Sequence, residues 1–204
     1  SSNFGKTTNW QSMKRGGSIG LMSGGSALNI ITKWILEIRK VKKMAKFISL
    51  FAGVGGFDLG MEKAGHECVA QVEWDKNAAG VLKHRWPNVP LFCDVSKVTA
   101  EDLPDAEFIC YGFPCQDLSI AGKRKGLDGK RSGLFYEATR LIRELRARGC
   151  GLRFALAENV RGIMSADDGL ALARCIRELL DCGASEVGFR ILDSQYFGVA
   201  QRRK

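Results

Sequence analysis

Metal-binding clusters, membrane spans and cysteine pairs in redox spacing are all missing from this 204-residue chain, and each absence removes a class of function. Only two histidines occur, His66 and His84, and none of the seven cysteines stands in a CxxC pair. Ligands so scattered exclude a zinc cluster, and no metal is expected. An odd number of cysteines without a framework spacing fits free thiols in a reducing compartment, so a cytoplasmic location is expected. No stretch approaches the ~20 apolar residues that a membrane helix needs. The N-terminus also lacks the charged-then-apolar layout of a secretory signal.

What is present is ordinary for a globular domain with one core, at 45% apolar and 26% charged residues. The net charge of +9 looks like a nucleic-acid signature until it is mapped. Residues 1–46 hold nine Lys/Arg against Glu37 alone, a net of +8, and the other 158 residues carry only +1. The basic character therefore belongs to an extension. Residues 1–30 are Gly/Ser-rich and read as disordered. Residues 30–43, IITKWILEIRKVKK, fit either a short basic amphipathic helix or a solvated extension, the second being favoured. Met44 opens MAKFISLFAGVGG, so the expected division is an extension over 1–43 and a folded domain over 44–204.

Within that domain, strand and helix patterns alternate. Apolar runs bounded by turn residues predict strands at Phe47–Phe51, Cys68–Val72, Glu107–Tyr111, Phe154–Ala157 and Val187–Leu192. Helical periodicity is expected over Phe57–Ala64, Asp75–Arg85 with Asp75 as cap, Leu134–Arg148 and Leu170–Cys182. This alternation predicts an α/β fold with a doubly wound sheet.

Two loops carry the candidate chemistry. FAGVGGFDLG follows the first strand, and Gly53, Gly55 and Gly56 permit a tight turn and close approach to a ligand. A dinucleotide fingerprint would need glycine where Asp58 stands, which argues against NAD or FAD. Glu73, 22 residues after Phe51, ends the second strand, where an acid reaches ribose hydroxyls in sheets of this kind. Asp94 ends a third strand-like segment and is placed to accept from an adenine amino group. A plain glycine turn with two surface acids is an equal reading of these residues alone.

The second loop is GFPCQDLSIAGKRKGLDGKRSGLF. Pro114 fixes the backbone just ahead of Cys115, at the mouth of the sheet where open α/β folds bind ligands. Glycines interleaved with Lys123, Arg124, Lys125, Lys130 and Arg131 predict a mobile loop suited to phosphate contacts. Cys68, Cys93, Cys110, Cys150, Cys175 and Cys182 fall in strand or helix patterns and read as buried structural thiols. Cys115 alone lies in an electropositive loop that favours a thiolate.

FISLFAGVGGFDLG, GFPCQDLSIAGKRKGL and ENVRGI, in that order, resemble the first, fourth and sixth motifs of DNA cytosine-5 methyltransferases of the bacterial and phage type. YFGVAQRRK resembles the start of the eighth. The resemblance runs over residues 46–204 and implies a Rossmann-like, S-adenosylmethionine-dependent sheet with helices on both faces. It implies that Phe51, Ala52, Gly53, Gly55 and Gly56 surround S-adenosylmethionine, that Glu73 binds its ribose, and that Trp74 and Asp94 meet the adenine. Val95, Pro114 and Leu134 join the same pocket by resemblance, and Gln116, Ser119, Lys123, Arg124 and Lys125 join the DNA contacts. Cys115 matches the family nucleophile, Glu158 the acid of ENV, and Arg203 the first arginine of a QxRxR pattern that supports the active site.

The implied reaction is methylation of carbon 5 of cytosine in double-stranded DNA, in restriction-modification or phage DNA protection within a bacterial cell. Thiolate addition at carbon 6 breaks the ring's aromaticity and makes carbon 5 nucleophilic. Glu158 would stabilise the charge that develops on the ring, and Asn159 beside it would hold local backbone. The target base must be flipped out of the duplex to be reached. An ordinary strand-end carboxylate is the weaker reading of Glu158, given its ENV context 43 residues after Cys115. The QxRxR pattern breaks off at Lys204, and the family continues with a target-recognition region and two further motifs. A truncated product or one half of a split enzyme is expected, with a C-terminal half or second subunit supplying recognition. A transfer-RNA cytosine-5 methyltransferase and a cofactor-binding remnant without activity are the alternatives.

Overall fold

A computed structural model describes residues 11–14, 20–21, 44–113 and 133–197, with backbone only for 11–14, 20–21 and 196–197. It divides into two compact units, residues 43–159 and residues 160–204 together with 1–42.

The first unit is built on a parallel sheet. Its strands are β3 (Lys46–Leu50), β4 (Glu67–Val72), β5 (Leu91–Phe92), β6 (Phe108–Gly112) and β7 (Phe154–Glu158), in the spatial order β5-β4-β3-β6-β7. β3 is buried from Phe47 to Leu50 and β6 from Phe108 to Tyr111, as befits central strands covered on both faces. Three helices connect them: α1 (Gly56–Lys63), α2 (Lys76–Arg85) and α3 (Gly133–Arg148). The chain starts mid-sheet and winds outward first through β4 and β5, then through β6 and β7. Right-handed crossovers therefore set α1 and α2 on one face and α3 on the other. The doubly wound α/β reading holds for this unit.

Local chemistry explains the element ends. Asp75 caps α2 by accepting from the amides of Asn77 and Ala78, at 3.0 and 2.8 Å, and Pro87 follows the helix's last turn. α3 buries Phe135, Ala138, Leu141, Ile142 and Leu145 along one stripe. From its other positions Arg140 reaches the carbonyls of Val95 and Val98, each at 3.0 Å. Arg148 bonds the carbonyls of Ala100 and Leu103 and pairs with Asp105 at 2.9 Å. The segment after β5, which carries Asp94, is thus strapped to α3.

Asp58 shows what replaces the glycine of a dinucleotide fingerprint. It is fully buried in the first turn of α1. Its carboxylate accepts from Gln71 Nε2 at 2.7 Å, Ser49 Oγ at 3.0 Å and Cys68 Sγ at 3.3 Å. A buried carboxylate so furnished rivets α1 to β3 and β4. Burial and the neighbouring Asp58 push the Cys68 thiol far up, and burial takes Cys110 and Cys175 up to about 12.

The second unit contains α4 (Leu170–Asp181) and the 3₁₀ segments Arg161–Met164, Ala166–Gly169 and Ser194–Phe197. It also holds an antiparallel sheet in the order β2-β1-β8, from β1 (Gln11–Lys14), β2 (Gly20–Leu21) and β8 (Glu186–Phe189). β8 lies in the stretch read as a strand from Val187, but it belongs to this separate sheet. β1 and β2 fall inside the Gly/Ser-rich stretch whose composition predicts disorder. Their pairing rests on backbone hydrogen bonds, to which composition is blind. The helix considered for residues 30–43 lies outside the described residues. No described helix is long and apolar enough to cross a membrane.

Candidate active site

Parallel strands in register bring their C-terminal ends to one edge of the sheet. Leu50 of β3 faces Val72 of β4 and Tyr111 of β6, Val72 faces Phe92 of β5, and Gly112 of β6 faces Glu158 of β7. The residues that follow these positions are Phe51, Glu73, Cys93-Asp94 and Phe113. This is the edge at which open α/β sheets bind ligands.

The glycine loop leaves β3 under strain. Phe51, half-buried, has φ 53°, a left-handed conformation that costs a non-glycine residue of order 1–2 kcal/mol. Gly53 and Gly55 follow at φ 56° and 88°, and the amide of Gly55 returns to the carbonyl of Ala52 at 2.9 Å. Ala52 is tied to β4 through Val72 O at 3.1 Å. Gly56 opens α1 on the exposed side.

Glu73 closes the loop from the next strand. One carboxylate oxygen accepts from Gly53 N and the other from Asp75 N, both at 2.7 Å. A carboxylate offers about four acceptor positions, so roughly two remain for the hydroxyls of a ribose. Trp74 beside it is 74% exposed and presents a flat aromatic face at the same edge. Asp94 is half-buried and caps the turn Val95–Lys97, accepting from the amide and hydroxyl of Ser96 at 3.0 and 2.7 Å. These bonds, with Lys97 nearby, hold its carboxyl below the ordinary value. Val95 is buried beneath it, and Leu134 is half-buried in the first turn of α3.

Cys93 corrects the expectation of a buried structural thiol: it is exposed. β5 is only two residues long and sits at the sheet's edge, so Cys93 has already left it. Cys68, Cys110, Cys150, Cys175 and Cys182 are buried. Among the described residues no His, Cys, Asp or Glu group converges on a metal position.

At the other end of the edge, Glu158 is the last residue of β7 and is exposed. A β-carbon placed on Gly112 would come within 3.2 Å of Glu158 Oε2, so the absent side chain leaves room for that carboxylate. Among the described residues the Glu158 carboxylate has no hydrogen-bond or ion-pair partner. Asn159, expected to hold backbone, donates from Nδ2 to the carbonyl of Phe113 at 3.2 Å. Phe113 is buried and packs against Phe135 in a tilted ring pair, 5.0 Å between ring centres. The strand end from which GFPC departs is thereby held on two sides. Pro114, Cys115, Gln116, Ser119, Lys123, Arg124, Lys125 and Arg203 lie outside the described residues.

In sequence Asp58 shows only as a departure from a dinucleotide fingerprint, Gly112 only as the residue ahead of Phe113-Pro114-Cys115, and Trp86 not at all. A glycine directly before Phe-Pro-Cys was a usable signal. Trp86 had none, since its partner Gly55 is 31 positions away.

Comparison with known proteins agrees with this geometry. The model of the C-5 cytosine-specific DNA methylase family matches residues 45–204. The type II methyltransferase M.HhaI of Haemophilus parahaemolyticus is 35% identical over 163 residues, which is 78% of this chain and 46% of that protein. M.Bsp6I of Bacillus sp. (strain RFL6) is 37% identical over 164 residues, 79% of this chain and 50% of its own. Among solved structures, a DNA modification methyltransferase encoded within an E. coli prophage aligns with TM-score 0.54 and 29% identity, covering 67% of this chain and 38% of that one. The S. pombe Dnmt2 methyltransferase shares the fold, with TM-score 0.59 and 20% identity over 79% of this chain and 47% of its own. The chain thus spans about half the length, or less, of the relatives it matches. With the family model covering so much of its length, the chain belongs to the C-5 cytosine-specific DNA methylase family.

Proposed function

We propose that this chain carries the catalytic and cofactor-binding portion of an enzyme that methylates carbon 5 of cytosine in double-stranded DNA. The observation that carries the reading is the register of Gly112 against Glu158, with Asn159 tied to Phe113. It sets the acid of ENV beside the strand end that leads into Cys115. Residues at the β3, β4 and β5 ends fit S-adenosylmethionine: a turn of backbone at Gly53–Gly55, spare acceptor positions on Glu73, an open aromatic face on Trp74, and an ionised Asp94. Bound there, S-adenosylmethionine would supply an electrophilic methyl group.

In this reading the Cys115 thiolate adds to carbon 6 of a flipped cytosine, and carbon 5 gains the electron density with which it takes the methyl group. Glu158 hydrogen-bonds ring nitrogen 3 and the exocyclic amine and stabilises charge as the thiolate adds. Loss of the carbon 5 proton re-forms the double bond and expels the thiolate. The loop from Gln116 to Arg131 supplies basic contacts to phosphate, and Arg203 supports the site. Choice of the DNA sequence is assigned to polypeptide outside the matched span, whether a C-terminal half or a second subunit. A role in restriction-modification or phage DNA protection in the cytoplasm fits the type II relatives.

With S-adenosylmethionine added, a duplex carrying 5-fluorocytosine tests the proposal, because after methyl transfer carbon 5 has no proton to lose and the protein should stay covalently attached. Adduct formed by Cys115→Ala would assign the nucleophile elsewhere. Labelled methyl groups appearing in RNA alone would overturn the choice of DNA.

A further inference from the structure

The strained glycine loop rests on a residue that no motif singles out. α2 ends at Arg85, and Trp86 leaves the helix at φ −127°, ψ 64°. Its indole turns in beneath the Phe51–Gly56 turn and is only 9% exposed. With Ala52 and Leu82 it forms a small apolar cluster, joined by Leu59, Val89 and Leu91. A β-carbon on Gly55 would fall 2.3 and 2.4 Å from two indole carbons, so the ring lies directly against the Gly55 backbone. The same Gly55 has φ 88°, donates to Ala52 O and accepts from Leu59 N at 3.0 Å. The indole is itself anchored: its N–H donates to Glu62 Oε1 on α1 at 2.6 Å. One rigid aromatic plate therefore links the end of α2, the body of α1 and the glycine turn.

We propose that Trp86 is a positioning residue for cofactor binding, an inference that rests on the reading of this loop as the S-adenosylmethionine site. The indole sets the height of the turn, and through it the place of Gly53, whose amide Glu73 holds from the other side at 2.7 Å. Preorganised in this way, the loop need not be ordered when the ligand arrives, which lowers the entropic cost of binding. Glu62 locks the indole's orientation. The packing requires glycine at 55 for a steric reason as well as a conformational one.

The test compares the full chain with Trp86→Leu, Trp86→Phe and Glu62→Leu, by calorimetric titration with S-adenosylhomocysteine and by amide hydrogen exchange. Trp86→Leu should weaken binding by about tenfold and speed exchange at Gly53, Gly55 and Leu59 by about as much, leaving Ile109 and Cys110 in β6 as protected as before. Trp86→Phe keeps a flat ring under Gly55 and should restore affinity to within about threefold. Binding by Trp86→Leu within about twofold of wild type, or unaltered exchange in the turn, overturns the proposal. If Trp86→Leu does not fold, Glu62→Leu decides, since freeing the indole should shift both readouts in the same direction, and no shift overturns it. Wild-type protein that binds no S-adenosylhomocysteine would fail the cofactor reading instead. The exchange comparison would still report by itself whether the indole holds the turn.

Discussion

The two ends of the ligand-binding edge treat their acids differently. On the β4–β5 side, Asp94 accepts from the amide and hydroxyl of Ser96 in its own turn, and Glu73 accepts from its neighbour Asp75 N and from Gly53 N of the glycine loop. On the β7 side, Glu158 stands exposed, beside a strand whose glycine makes way for it. Acids that hold a loop in shape must be bonded in the resting protein, because the shape exists before the ligand. An acid that meets charge developing on a substrate needs acceptor positions open when the substrate arrives. Bonding pattern thus separates loop-building carboxylates from the one proposed for chemistry.

That contrast can be broken most decisively at Glu158. Glu158→Gln should lower single-turnover methyl transfer by about 10²–10⁴-fold. Urea midpoint and S-adenosylhomocysteine affinity should stay at wild-type values. A large loss of stability would mean that Glu158 is structural after all. Asp58→Ala is the opposite case, a buried acid outside the chemistry. It strands the Gln71 and Ser49 donors and should cost about 2–4 kcal/mol of unfolding free energy, read from denaturant curves.

A smaller effect is expected at Gly112. Gly112→Ala crowds Glu158 Oε2 and should slow methyl transfer by about tenfold, with a stability change under about 1 kcal/mol. If both rates and stability stay unchanged, the close approach has no functional weight. The smallest effect concerns acid. Asp94's folded-state value is depressed below the ordinary 3.8, so its cap contributes fully above that value and is lost as pH falls through the lower one. Nuclear magnetic resonance of the Ser96 amide should follow this titration, and Asp94→Asn should abolish it.

Much of the α/β unit could be read along the chain. The strand read at Phe47–Phe51, found at Lys46–Leu50, was legible because a parallel strand covered on both faces is mostly apolar, Ser49 being the exception. Asp75 was legible as a cap because the interaction is local, with partners two and three residues on. The strand near Val187 was legible as a strand but not by partner. Its neighbour β1 is some 170 positions earlier in a stretch whose composition points to disorder. Cys93 was misread because pattern cannot tell a strand from the first residue past its end. The surroundings of Cys115 are legible only in sequence, since that loop lies outside the described residues.

The sequence by itself determined the family, most of the order of strands and helices in the α/β unit, and the identity of the groups proposed for chemistry. These follow from motifs and periodicities confined to a few neighbouring residues. Only the tertiary structure decided that Glu73 and Asp94 are bonded while Glu158 has no partner among the described residues, that Asp58 rivets α1 to two strands, and that Trp86 underlies Gly55. The Asp58 bonds, the Glu73–Gly53 bond, the Trp86–Gly55 contact and the approach of Glu158 to Gly112 join residues 9 to 46 positions apart. Side-chain commitment is a property of neighbours in space, and one chain read in order does not list them.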